Sequence, residues 1–328
     1  MKINEFRDKI KNCRREDLEK IASELYKMLP KGKKESDADP LIEDIISGVD
    51  LSVVREKRKA VVVDFEALKS QINEFLENVD ADLYCTPNRV VPKSKRSKWR
   101  FEVKNFVKMI NEIPADGENG AESARLLREL YNRLAYGCGY YIFPSDDPFQ
   151  SVGIRQPDFY DMLVKRTFAV GFSDENIKNM LEDATFVYID RNSLHIEMES
   201  IFANALVTND LKYKAIDFIK EYVDKLEAEI EKRTSYDSYH LKSNIEELCE
   251  TMLVISILLC ETDDAVKYYW KHVHDSDKEI TLYKILDTIR VYGDEKLWVS
   301  VYENGIKKNI KPRNSLEVQY QEMKDKIH

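Results

Sequence analysis

Residues 97–113 read SKWRFEVKNFVKMINEI, with apolar side chains at Trp99, Val103, Phe106, Val107 and Ile110 and mostly charged or amide side chains between them. The apolar positions recur every three or four residues, which places them along one side of an α-helix. A helix with one apolar stripe has to bury it on a neighbour, so it predicts partners of the same kind. They are found in both directions. Upstream, Leu18, Ile21, Leu25 and Leu29 form a stripe, and Phe65, Leu68, Ile72 and Phe75 form another. Between these, Asp39-Pro40 reads as N-cap and first helical residue, Leu41, Ile42, Ile45 and Ile46 as the stripe, and Gly48 as the stop.

Downstream, Leu126, Leu127, Leu130 and Leu134 define a helix closed by Gly137 and Gly139. Pro157 opens another that Gly171 ends, and Ser173 caps a third that closes near Glu182. Helices are then expected over residues 193–207, 211–232, 239–260, 263–273, 278–292 and 315–327. Their pairs recur at roughly 40-residue intervals, as in helical-hairpin arrays. No tetratricopeptide, ankyrin or armadillo consensus lines up with them. The expected fold is therefore all-α: a helical bundle or a short right-handed α-α solenoid of paired antiparallel helices.

Of the 328 residues, 43% are hydrophobic and 34% charged, which suits a folded chain with many solvated helix faces rather than disorder. The net charge of −9 is unevenly placed. Residues 1–110 hold 24 Lys and Arg against 20 Asp and Glu, a balance of +4, and the remainder holds 27 against 40, a balance of −13. The polar, glycine-bearing Pro114 to Gly120 separates the two. It suggests a basic helical unit at 1–115 and an acidic, Tyr/Trp-rich paired-helix region at 116–328. The five cysteines are scattered without a CxxC pair, which argues against a disulfide framework or a zinc ribbon. The N-terminus alternates charges, unlike a signal peptide. The longest apolar run, Met252 to Cys260, is about half of the ~20 residues a membrane span needs. A cytoplasmic protein with no membrane partner is expected.

The opening hairpin through Leu25-Tyr26, then Asp39-Pro40-Leu41-Ile42-Glu43-Asp44, Ile72-Asn73-Glu74-Phe75, the loop to Arg89 and Val103-Lys104-Asn105-Phe106-Val107-Lys108, resembles the start of a bacterial all-helical family known as a domain of unknown function. The likeness covers about the first half of the chain, out to Leu130-Tyr131. It implies an intracellular helical protein with an acidic C-terminal extension, and it implies no reaction.

Two surface chemistries stand out. Arg89, Lys93, Lys95, Arg96, Lys98, Arg100, Lys104 and Lys108 are interleaved with Trp99, Phe101 and Phe106, the pattern that phosphate backbones and unpaired bases select. Arg55, Lys57, Arg58 and Lys59 would extend that patch. The acidic rear is rich in aromatics, and Tyr268, Tyr269, Trp270 and Tyr302 are the candidate anchors for a protein or peptide partner.

Other motifs fit ordinary structure. His272 and His274 are two apart, so a helix would point them apart, and both suit a helix C-terminus. Cys138 sits between two glycines where a helix ends, and Asp146-Asp147-Pro148 suits a turn. Walker, dinucleotide-binding and kinase motifs are missing, and neither a cofactor nor a metal set is expected. The expectation is a non-enzymatic interaction protein binding a protein or peptide through its acidic aromatic part. The alternative is a nucleic-acid-binding module acting through residues 89–108, and a hydrolase or metal-dependent enzyme is the third reading.

Overall fold

A computed structural model describes residue 6 and residues 9–11, 13–30, 38–47, 63–233, 238–273 and 277–327. All sixteen regular elements among the described residues are helices. They belong to two compact units, Met1–Val62 and Val63–His328.

The first unit contains α1 (Arg15–Met28) and α2 (Asp39–Ile46). Asp39 is the first residue of α2 rather than its cap. Its carboxylate instead accepts a hydrogen bond from the Tyr26 hydroxyl at 2.6 Å, which ties the two helices together. The expected stop at Gly48 and the Arg55–Lys59 cations lie outside the described residues.

The second unit begins with α3 (Phe65–Asp80), a single turn α4 (Lys93–Arg96), α5 (Trp99–Asn111), α6 (Gly120–Gly139) and the short α7 (Pro148–Val152). It continues with α8 (Gln156–Val170), α9 (Asp174–Thr185), α10 (His195–Ala205), α11 (Asn209–Ile230) and α12 (Tyr239–Leu259). The last members are α13 (Thr262–His272), α14 (Lys278–Tyr292), α15 (Glu295–Lys307) and α16 (Asn314–Ile327). Every second helix packs on the next: α6 on α8, α8 on α10, α10 on α12 and α12 on α14. The intervening α9, α11 and α13 pack against this row, and α15 and α16 close its C-terminal end. The result is a stacked array of paired helices.

All five positions of the expected stripe in α5, Trp99, Val103, Phe106, Val107 and Ile110, are buried. Trp99 stacks on Phe143 with centroids 4.3 Å apart, so the helix is anchored on the turn that follows α6. Arg166 fastens the same region: its guanidinium donates to the Ile110 and Ile113 carbonyls at 2.6 and 2.8 Å and to the Ser123 hydroxyl at 2.6 Å. These bonds tie the end of α5 and the turn after it to α8 and to the start of α6. The Pro114–Gly120 segment, read from charge as a boundary, therefore lies inside the second unit, and the apolar core runs on both sides of it from Phe65 to Leu316.

Helix starts follow their caps. Asp64, Ser173, Thr208 and Asp294 each accept from a backbone N–H in the first turn of the following helix. α15 is a helix that the sequence pattern did not flag. Its Gly305 breaks the apolar stripe Trp298, Val301, Tyr302, and it is small because a Cβ there would meet Leu282 at 2.7 Å. α6 closes at Gly139 as expected, with Gly137 inside its last turn. A Cβ on Gly137 would lie 2.9 Å from the Phe143 ring, and one on Gly139 would lie 2.7 Å from Tyr188.

Candidate functional site

The exposed edge formed by α4 and α5 is built by the helix periodicity itself. With Trp99, Val103, Phe106, Val107 and Ile110 committed to the core, the intervening side chains are forced outward. Arg89, Lys93, Lys95, Lys98, Arg100, Lys104 and Lys108 are all exposed, and none pairs with a carboxylate among the described residues. Elsewhere in the same unit cations are mostly engaged, as in Lys69–Glu122, Arg128–Asp183, Arg133–Asp80 and Lys178–Glu221. Arg96 is the exception on the edge. It donates to the Val91 and Asn88 carbonyls at 3.0 and 3.1 Å and so holds the loop before α4 in place.

Phe101 stands at the centre of this edge, 59% exposed, with the Arg100 guanidinium 4.9 Å from its ring centroid. A groove of about 520 Å³ runs along one side of it. Lys95 and Lys98 line the groove together with Gln71, Glu74, Asn78, Glu102 and Asn105, and the Tyr84 hydroxyl donates to Glu102 at 3.2 Å. On the other side of Phe101 a shallower depression includes Lys104, Lys108 and Asp158. The edge thus combines an exposed ring, flanking cations and a groove offering amide and carboxylate hydrogen-bonding groups.

The aromatic anchors expected in the acidic rear are placed differently. Tyr269 and Tyr302 are buried, because both fall on the core-facing stripe of their helices. Tyr302 is stacked between Trp298 at 5.5 Å and Tyr320 at 4.5 Å. Trp270 is half-buried under the Lys308 ammonium at 5.1 Å, and Tyr268 lies over His272 at 4.1 Å. These four side chains do not come together as one exposed face. A different cluster does. Tyr136 stacks on Tyr140 at 4.5 Å, Tyr188 meets both rings edge-on, and Tyr141 beside them is 66% exposed. Tyr188 reaches this position because Gly139 leaves room for its ring.

Sequence reading also missed three glutamates in the helix row. Glu199 of α10 and Glu247 and Glu250 of α12 bring carboxylate oxygens within 4.8 Å of one another. Two like charges at that separation repel by about 3.5 kcal/mol at an effective dielectric of about 20. Burial is the main cause that pushes Glu247 and Glu250 up to about 7, and burial with the facing Glu250 and Glu247 charges pushes Glu199 well above the usual carboxylate range. Their signal in the sequence is faint: Glu199 shares the core stripe of Phe202 and Ala203, one polar residue on an apolar face.

The remaining motifs take structural roles. Cys138 donates to the Leu134 carbonyl, and burial, then Asp147 and Asp190, push its thiol up to about 12, which disfavours the thiolate. Asp147 caps α7 by accepting from the Gln150 N–H at 2.9 Å, and Asp146 faces Arg191 at 3.7 Å. His272 Nδ1 lies 2.7 Å from Glu227, and His274 is outside the described residues. Among the described residues no helix is long and apolar enough to cross a membrane. Comparison with protein-family models, with curated proteins and with solved structures finds no match to this chain. The functional reading therefore rests on site geometry and not on kinship.

Proposed function

We propose that the protein is a non-enzymatic binding module whose working surface is the α4–α5 edge and whose ligand is single-stranded nucleic acid. The observation that carries this reading is Phe101, an exposed ring flanked by Lys95, Lys98, Arg100, Lys104 and Lys108, all without carboxylate partners among the described residues. A nucleic-acid strand needs cations for its phosphates and a flat apolar surface for its bases. Glu74 and Glu102 would repel a bare phosphate, and with the neighbouring amide carbonyls would accept from the exocyclic amines of a splayed base. That combination favours a strand with unstacked bases over a duplex. The net charge of −9 opposes it only at long range, since charges beyond about 8 Å are screened at physiological salt.

The test is fluorescence anisotropy with a labelled single-stranded oligonucleotide, an equal-length duplex, and heparin as a base-free competitor. Single strands should bind more tightly than duplex and resist heparin better than a purely electrostatic ligand would. Equal binding of all three would reduce the edge to a non-specific cation patch, and no binding would remove the reading.

A protein partner is the second reading, favoured by the Tyr136–Tyr140–Tyr188 cluster with Tyr141 in the acidic region. Exposed tyrosines held rigid by stacking are the chemistry of interface anchors. Its test is capture of a protein by the wild-type chain and loss of that capture with Tyr141→Ala and Tyr140→Ala.

A further inference from the structure

Glu199 is fully buried, and no N–H or hydroxyl donates a well-formed hydrogen bond to either carboxylate oxygen; the polar side chains set against it are those of Glu247 and Thr251. Such a group is expensive to leave unmatched in a protein interior. It is aimed at Glu247 and Glu250, which stand three residues apart and so share one face of α12. Glu250 accepts from the Thr288 hydroxyl of α14 at 2.6 Å, which fixes the orientation of one carboxylate from outside. The nearby Lys284 ammonium is paired with Glu246. The three carboxylates thus converge from two adjacent members of the helix row, and a third member orients one of them.

We propose that Glu199, Glu247 and Glu250 form a binding site for one hard divalent cation of calcium size, joining α10 to α12. The donor set is wholly carboxylate oxygen, which selects calcium, manganese or magnesium over softer metals. The spacing admits an ion of calcium size. Oxygens held about 2.4 Å from one centre lie up to about 4.8 Å apart on opposite sides of it, and the three carboxylates meet within that span. Glu247 and Glu250 keep partial exposure, unlike Glu199. The fully buried Glu199 is the ligand that an exposed acidic patch would lack. The bound ion would add positive charge to that of Lys284, which acts on Glu247, and it would lock two neighbouring helices of the array.

The test uses the full chain stripped with EDTA and titrated with calcium chloride by calorimetry, with manganese binding read in parallel by electron paramagnetic resonance. One ion per chain is expected, together with a rise in Tm. Glu199→Gln keeps the side-chain shape and should weaken binding by about 100-fold or more while circular dichroism shows an unchanged fold. Thr288→Val leaves all three carboxylates in place and frees Glu250 to rotate, so about a tenfold loss is expected. A folded wild-type protein that binds neither ion overturns the proposal and leaves a proton-sharing carboxylate cluster. So does calcium binding of equal strength in Glu199→Gln, which would place the ion on surface carboxylates. These outcomes are independent of nucleic-acid binding.

Discussion

Reversing two charges at the rim of the α4–α5 groove, Lys95→Glu with Lys98→Glu, tests the proposed function at the point where fold and ligand separate. Both side chains are exposed and unpaired among the described residues, so the substitutions should leave Tm nearly unchanged. Five cations flank Phe101, and if each meets one phosphate the logarithm of affinity falls against log salt with a slope of about −3.5 for a single strand. Between 50 and 200 mM salt the wild type would then lose about 100-fold in affinity. The double variant keeps three of these contacts, which lowers the slope to about −2 and the loss over the same range to about 20-fold. Phe101→Ala should behave differently, weakening binding by about 1–3 kcal/mol at every salt concentration without changing the slope. Anisotropy titrations of the three proteins against one labelled oligonucleotide supply all the numbers. Equal slopes for wild type and Lys95→Glu/Lys98→Glu would refute the assignment of phosphate contacts, and an unchanged affinity for Phe101→Ala would refute the stacking platform.

Three further outcomes follow from the packing. Burial pushes Asp183 up to about 6 even though Arg128 donates to it at 2.6 Å. The folded protein therefore keeps that proton from pH 3.8, where the unfolded chain releases it, to about 6. Asp183 thereby takes at most about 3 kcal/mol from stability as pH rises through this window; the Glu199, Glu247 and Glu250 cluster adds a loss common to both proteins, so denaturant titrations should show a smaller total loss in Asp183→Asn than in the wild type. Arg166→Met leaves the Ile110 and Ile113 carbonyls and the Ser123 hydroxyl without their guanidinium donor, and should lower unfolding free energy by about 2–4 kcal/mol in urea. Gly139→Ala drives a methyl group to 2.7 Å from the Tyr188 ring. It should cost about 1–3 kcal/mol and alter the near-ultraviolet dichroism of the tyrosine cluster, whereas an unchanged spectrum would count against the packing described.

What the sequence made legible was local. The stripe from Trp99 to Ile110, the Ser173 cap and the limits of α14 at Lys278 and Tyr292 follow from periodicity and capping chemistry, and the structure has them as expected. The outward face of α5 was legible for the same reason, since fixing the buried side of a helix fixes the other. Convergence across helices was not. Tyr269 and Tyr302 looked like surface anchors because tyrosine tolerates both environments, and only the neighbours Trp298, Tyr320 and the helix row decide that they are inside. Nothing in the local pattern singles out Glu199, and Glu247 and Glu250 meet it only because α10 packs on α12. Tyr136 and Tyr188 are far apart in the chain, and a glycine brings their rings together. The change of charge sign near Pro114–Gly120 falls inside the second unit, with buried apolar residues on both sides of it.

The central claim is that a strand of nucleic acid lies across Phe101. Ultraviolet crosslinking of the full chain to a photoreactive single-stranded oligonucleotide, with the modified peptide mapped by mass spectrometry, addresses it directly. The account predicts crosslinks concentrated within residues 97–113, at Phe101 above all, and their loss in Lys95→Glu/Lys98→Glu. Crosslinks centred on residues 136–141, or spread evenly over the helices, would contradict it.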